Sequence, residues 1–160
     1  MGYPDDAPEV RAQGWRLVAE LHARVERAAD QALREEAGLS VVEYTLLDVL
    51  CRQHGRHHLR MSQVARATAL SESATTRLVD RLEHRGLLAR YLCADDRRGI
   101  YAELTDQGRA ALDGARGAYG SALTSALAEA ADVAELAPVV AALRPTLVGS
   151  EEDRIRPEAR

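Results

Sequence analysis

CADDRRGIYAELTDQG, residues 93–108, sets two aspartates, two arginines and a glycine between two strand-like runs. The run before it, LLARYLC (87–93), and the run after the glycine, IYAELT (100–105), alternate apolar and polar residues or nearly so. Half-buried strands show that alternation, because successive side chains point to opposite faces. DDRRG (95–99) therefore reads as the tip of a β-hairpin, and the hairpin spans 87–105. Adjacent arginines on such a tip can reach into something negative.

Upstream, LSESATTRLVDRLEHRG (70–86) reads as a helix. Ser71 is its natural N-cap, Glu72 suits the positive end of the helix dipole, and Gly86 ends it. A shorter helix, SQVARATA (62–69), precedes it with Ser62 as candidate cap, and HHLRM (57–61) is an extended link. Before that, GLSVVEYTLLDVLCRQHG (38–55) holds a helix opened by a Ser40/Glu43 capping box. Val42, Leu46, Val49 and Leu50 form its apolar face, and Gly55 ends it. Residues 8–37 form one long helix with Val10, Leu17, Leu21, Val25 and Ala28 on a stripe and Gly38 as the stop. Downstream, Thr105 caps a long helix to about 130. Asp132 opens a last helix, perturbed by Pro138 and ended near Pro145. A short helix, a tight turn and a second helix make a helix-turn-helix, and a hairpin directly after it makes the winged version. The expected fold is mostly α with a small β-hairpin wing, carrying long N- and C-terminal helices.

At 160 residues the chain has enough length for a real core, and 46% hydrophobic with 29% charged residues is globular composition. No apolar run approaches the ~18 residues that cross a bilayer. MGYPDDAPEV at the start is acidic and lacks the apolar centre of a secretory signal, so a cytoplasmic protein is expected. Two cysteines, Cys51 and Cys93, are too few for a disulfide framework. The net charge of −4 argues at first against a nucleic-acid partner, but its distribution argues for one. From Arg56 to Arg98 nine arginines face five acids, a balance of +4, while the remainder carries −8. A basic middle in an acidic frame is a local electrostatic footprint.

Turned at about 100° per residue, the 71–85 helix puts Ala74, Thr75, Leu78, Val79 and Leu82 on one side. Ser73, Thr76, Arg77, Asp80 and His84 fall on the other. Two hydroxyls and an arginine on the outer face of the first turns suit a recognition helix in the major groove. Arg77 can contact guanine bidentately, and Ser73 and Thr76 can reach bases or phosphates. An ordinary amphipathic surface helix would look the same. On the hairpin, Arg97 or Arg98 would be drawn to the negative potential of a narrow minor groove, with Asp96 as a brace. A solvated turn with a surface ion pair is the plainer alternative.

MSQVARATALSESATTRLVDRLEHRGLLARYLCADDRRGIYAELTDQGRAAL (61–112) resembles the MarR family of bacterial transcription regulators. DDRRG…AELTDQG is similar to that family's wing signature, an Asp-x-Arg followed by a strand and Leu-Thr-x-x-Gly. SATTRLVDRLEHRGLLAR (73–90) is similar to its recognition helix and first wing strand. The resemblance implies double-stranded DNA as partner. It places Ser73, Thr76 and Arg77 on the major groove, Arg98, braced by Asp96, in the minor groove, and Arg97 on a phosphate. It also implies a two-fold homodimer formed by the terminal helices. The expected organisation is dimerisation helices at 1–38 and 106–148, a winged helix-turn-helix at 39–105, and a charged tail at 149–160. Independently, both terminal helices carry more Leu, Val and Ala than a small winged module needs. GARGAYG (114–120) spaces three glycines three apart, which either allows close backbone packing or marks a weak, bent segment. A two-fold dimer implies a pseudo-palindromic operator.

Members of the resembled family often release DNA on binding a small phenolic or aromatic acid between the dimer helices and the winged module. On the first helix Arg11, Trp15 and His22 share a flank and could hold an aromatic carboxylate. Arg16 is near in sequence but points elsewhere. Trp15 packing at the dimer interface, with His22 in a surface pair, is the alternative. Family peroxide sensors carry their cysteine near the first helix, where this chain has none. Cys51 reads as a small buried apolar residue and Cys93 as a weak redox candidate. Cys51, His54, His57 and His58 are metal-ligand types within eight residues, yet Gly55 interrupts them and no second pair follows. No phosphate loop, Gly-x-Ser-x-Gly elbow or His-Glu-x-x-His occurs, so neither an enzyme nor a cofactor is expected. The expectation is a sequence-specific repressor, bound to its operator as a homodimer and released by an aromatic or phenolic effector. A metal- or redox-responsive regulator of the same fold, or a helical adaptor that binds no DNA, remain the rivals.

Overall fold

A computed structural model describes residues 8–53, 58–92 and 99–143. They belong to two compact units, one spanning 29–120 and the other combining 1–28 with 121–160. In chain order the elements are α1 (Pro8–Ala37), α2 (Val41–Cys51), β1 (His58–Arg60), α3 (Met61–Thr68), α4 (Glu72–His84), β2 (Leu88–Leu92), β3 (Ile100–Leu104) and α5 (Asp106–Ala131). Residues 137–143 are again helical.

The 29–120 unit is the winged helix-turn-helix. Its core gathers Leu33 of α1, Leu46, Leu47 and Leu50 of α2, Val64 of α3, and Leu78, Val79 and Leu82 of α4, all at or near zero exposure. α2 is buried nearly all round: Glu43 and Tyr44 are inside with the leucines, while Val42 and Val49 are half-buried. Its capping box forms as expected, Glu43 N–H on Ser40 Oγ (3.3 Å) and Ser40 N–H on Glu43 Oε2 (2.9 Å).

α3 begins two residues earlier than a Ser62 cap implies. Arg60 is the N-cap, and its N–H is taken by Gln63 Oε1 at 2.9 Å, so Ser62 lies inside the first turn. α3 then ends in a three-residue turn. Ala69 holds φ +53°, and Leu70 N–H donates back to Ala65 O (3.1 Å). Ser71 caps α4 by accepting Ala74 N–H (3.3 Å). The buried Thr75 hydroxyl is satisfied by Ser71 O at 2.9 Å. Gly86 closes α4 at φ +72°, with Leu87 N–H on Leu82 O and Gly86 N–H on Glu83 O, both at 2.9 Å. That left-handed closure costs a residue with Cβ and is free for glycine.

Among the described residues the sheet has three strands, not two. β3 lies between β1 and β2, antiparallel to both, with Leu88↔Leu104, Tyr91↔Tyr101 and Leu59↔Ala102 in register. Within the link expected at 57–61, His58–Arg60 thus forms a strand, because β3 offers it a free edge. The hairpin is rooted on α5. Thr105 Oγ1 donates to Gly86 O (2.7 Å) and accepts Gly108 N–H (3.0 Å), which caps α5 as expected. Gly108 is pressed so close to the α4–β2 bend that a Cβ there would lie 2.0 Å from Leu87 O.

In the other unit, Leu21 of α1 packs with Ala130, Leu136 and Val140, flanked by Leu17 and Val25. The last helix does not open at Asp132. Asp132 and Val133 N–H bond three residues back, to Glu129 and Ala130, so α5 tightens and stops there, and residues 132–136 form a turn. Pro138 sits in the first turn of the next helix, where its missing N–H has no partner to lose. The expected helix end near Pro145 and the tail at 149–160 lie outside the described residues.

Candidate nucleic-acid interface

The two faces of α4 separate as the helical turn predicts. Thr75, Leu78, Val79 and Leu82 are buried, and Ser73, Thr76, Arg77, Asp80 and His84 are exposed. Arg77 makes no ion pair among the described residues. Thr76 donates its hydroxyl to Glu72 O (3.0 Å), leaving the oxygen lone pairs outward, and Ser73 Oγ lies 3.3 Å from Ser71 Oγ. The N-terminal half of α4 thus presents a compact surface of hydroxyls and one uncommitted guanidinium. The other half of the expected interface, Asp96, Arg97 and Arg98, lies outside the described residues, as does Cys93.

Beside α4 runs a cleft of about 430 Å³ lined by Arg60, Met61, Ser62, Thr76, Arg90 and Ile100. Arg60 and Ser62 therefore flank the same surface as Thr76. The sequence alone does not single them out, because Ser62 reads as a cap and Arg60 as part of a link. The available signal was their place in the basic middle of the chain.

Arg90 of β2 is also new to the site. Its Nε (2.8 Å) and Nη2 (2.5 Å) donate to Glu83 Oε2, its Nη1 lies 2.7 Å from Asp80 Oδ1, and its backbone N–H donates to Glu83 Oε1 (3.2 Å). The Arg90 side-chain hydrogen bond holds the Glu83 carboxyl below its usual range, and Glu83 in turn raises Arg90. At the far end of α4, Arg85 donates to Gly38 O (3.1 Å) and pairs with the buried Glu43 (3.4 Å). α4 is consequently tied both to the sheet and to the α1–α2 junction.

The residues proposed for an effector stand on α1 in the 1–28 segment. Trp15 is 72% exposed, His22 Nδ1 lies 3.5 Å from Glu26 on the same helix, and Arg16 donates to Gln13 (2.6 Å). Arg11 is exposed on the Trp15 flank. Cys51 is not the buried apolar filler expected. It is half-buried, and its sulfur accepts from Arg109 (3.3 Å) and Arg116 (3.7 Å). Among the described residues no His, Cys, Asp or Glu side chains group to hold a metal, and His54 and His57 lie outside them. No helix among the described residues is long and apolar enough to cross a membrane.

A helix-turn-helix with an exposed polar face on its second helix, followed by a three-stranded wing, defines a winged helix-turn-helix of the kind that docks on DNA. The MarR family profile matches residues 37–99. The transcriptional regulator PecS of Dickeya dadantii is 33% identical over 89 residues, covering 56% of this chain and 53% of that protein. Sco3205, a MarR family transcriptional regulator from Streptomyces coelicolor solved in complex with DNA, superposes with a TM-score of 0.71 at 25% identity, covering 100% of this chain and 95% of that one. CouR from Rhodococcus jostii, solved bound to p-coumaroyl-CoA, gives a TM-score of 0.61 at 31% identity, covering 82% of this chain and 86% of that one. The chain belongs to the MarR family of transcription regulators. It spans about half the length of the curated relatives it matches.

Proposed function

We propose that this protein is a sequence-specific, DNA-binding repressor that acts in the cytoplasm as a homodimer on a pseudo-palindromic operator. The observation that carries the reading is the outer face of α4, where Ser73, Thr76 and Arg77 are exposed above the buried Thr75, Leu78, Val79 and Leu82. Ser73, Thr76 and Arg77 read the major groove. Arg98, braced by Asp96, enters the minor groove, and Arg97 meets a phosphate. The DNA complex of the similar Sco3205 supports DNA as the partner. Exposed Val10, Trp15 and Val18 on α1, together with open space beside Gly114, Gly117 and Gly120 on α5, support a second copy of the chain as partner.

We further propose release by a small aromatic or phenolic effector, a reading supported by the p-coumaroyl-CoA bound to the similar CouR. Arg11, Trp15 and His22 form the candidate contact, with Arg16 turned away. The exposure of Trp15 favours a second reading of the same flank, packing against the partner copy.

The test is fluorescence anisotropy on a duplex obtained by selection from random sequences, across a salt series, with wild type, Arg77→Ala and Arg98→Ala. Wild type binds tightly with a steep salt dependence. Arg77→Ala loses about 1–3 kcal/mol and relaxes selectivity at one base pair. A selection that returns no motif, with equal weak binding by all three proteins, sinks the DNA reading in favour of the adaptor.

A further inference from the structure

We infer that Arg90 is a positioning residue for operator recognition: by gripping Asp80 and Glu83 it locks wing strand β2 to α4, so that helix and wing meet DNA as one preset body. The inference rests on the DNA-binding reading above and adds a residue that contacts no base.

Three of the five guanidinium N–H donors are committed. Nε and Nη2 go to Glu83 at 2.8 and 2.5 Å, Nη1 to Asp80 at 2.7 Å, and the side chain keeps 32% exposure. The fork is spent mainly on two carboxylates one turn of helix apart. It does fix an angle, since a planar fork with several donors constrains orientation as a point charge on lysine cannot. The angle matters because α4 and β2 meet through Gly86 at φ +72°, the residue type with most torsional freedom. Arg90 grips α4 four residues beyond that joint, and its own backbone N–H joins the grip through Glu83 Oε1 (3.2 Å). Strand and helix are thus bound by main chain and side chain together.

The same carboxylates make the idea separable from simple electrostatics. Asp80 lies on the outward face of α4 with Ser73, Thr76 and Arg77, and Glu83 one turn on is half-buried. Removing two acids beside a polyanion should tighten binding if only charge counts. If position counts, removing them should weaken it. An unbraced wing is aligned in only a fraction of molecules, and affinity falls by that fraction, about tenfold for one conformer in ten.

The experiment compares wild type, Arg90→Gln and Asp80→Ala/Glu83→Ala on the selected operator and on a scrambled duplex, with hydrogen exchange of the β2 and β3 amides as a readout independent of DNA. The alanine pair keeps α4 helical and so serves even where Arg90→Gln folds poorly. The expected result is about tenfold weaker operator binding by both variants, unchanged or tighter binding of the alanine pair to the scrambled duplex, and faster exchange in β2–β3. Operator affinity that rises or stays level in the alanine pair overturns the inference, as does wild-type discrimination by Arg90→Gln. Wild type that fails to distinguish operator from scramble overturns the DNA reading itself, and the inference with it. The exchange data still report in that case whether Arg90 holds the strand.

Discussion

Replacing Gly108 by alanine separates a packing requirement from a helix preference. In an exposed helix the change gains up to about 1 kcal/mol, since alanine is the better helix former. Here the new Cβ would stand 2.0 Å from Leu87 O and 2.9 Å from Leu104 Cδ1. Ordinary contact is about 3.5 Å, so a carbonyl oxygen in the main chain must yield by more than an ångström. That carbonyl accepts Thr105 N–H at 3.3 Å, and the neighbouring Gly86 carbonyl accepts the Thr105 hydroxyl at 2.7 Å. The shift therefore strains the wing root and the α5 cap at once. Overpacking of a tight contact costs about 1–3 kcal/mol, and each weakened hydrogen bond about 1. We expect a net loss of about 2–4 kcal/mol after the helix gain is counted. Urea unfolding followed by circular dichroism measures it, with unchanged slope required so that the difference reports stability. A Gly108→Ala protein as stable as wild type, or more stable, would refute the geometry.

Gly117→Ala supplies the opposite sign on the same helix. Its Cβ meets nothing within 4 Å, so the protomer should gain up to about 1 kcal/mol in the same assay. A loss of stability accompanied by a weaker dimer in sedimentation would instead seat a second copy on that face. The brace should also leave a pH signature. Arg90 holds the Glu83 carboxyl below its ordinary 4.5, so the folded state binds the proton less readily than the unfolded chain. The stability difference between wild type and Glu83→Gln should be constant above about pH 4.5 and shrink as acid titrates Glu83 through its lowered folded-state value. A difference that grows on acidification would contradict the pairing.

Much of the helix-turn-helix was legible because its signals are local. Ser40 with Glu43, Ser71 and Thr105 announce their helices through a hydroxyl that answers an N–H three residues on. The inner and outer faces of α4 follow from the helical turn alone. What escaped depends on partners distant in the chain. His58–Arg60 is too short to read as a strand, and it becomes one only because β3, some forty residues later, leaves an edge for it. Arg90 read as an ordinary polar position on an alternating strand, and its role depends on α4 folding beside it. Cys51 looked apolar because Arg109 and Arg116 reach it from α5, 58 and 65 residues further on. Of the expected site, the outward placing of Ser73, Thr76 and Arg77 was legible in the sequence.

Arg60 pairs with Tyr101 as the last residue of β1 and is at the same time the N-cap of α3. Sheet and helix are therefore joined without a spacer. One extra residue at that point has two outcomes. It slips the strand, turning Leu59 from the buried face of the sheet to its outer face, or it rotates every side chain of α3 by about 100°. Neither is repairable by a local bend. Sequences built on this plan should keep the Arg60–Met61 junction at constant length, and anyone grafting a reporter peptide or a recognition tag into this protein should leave that junction intact.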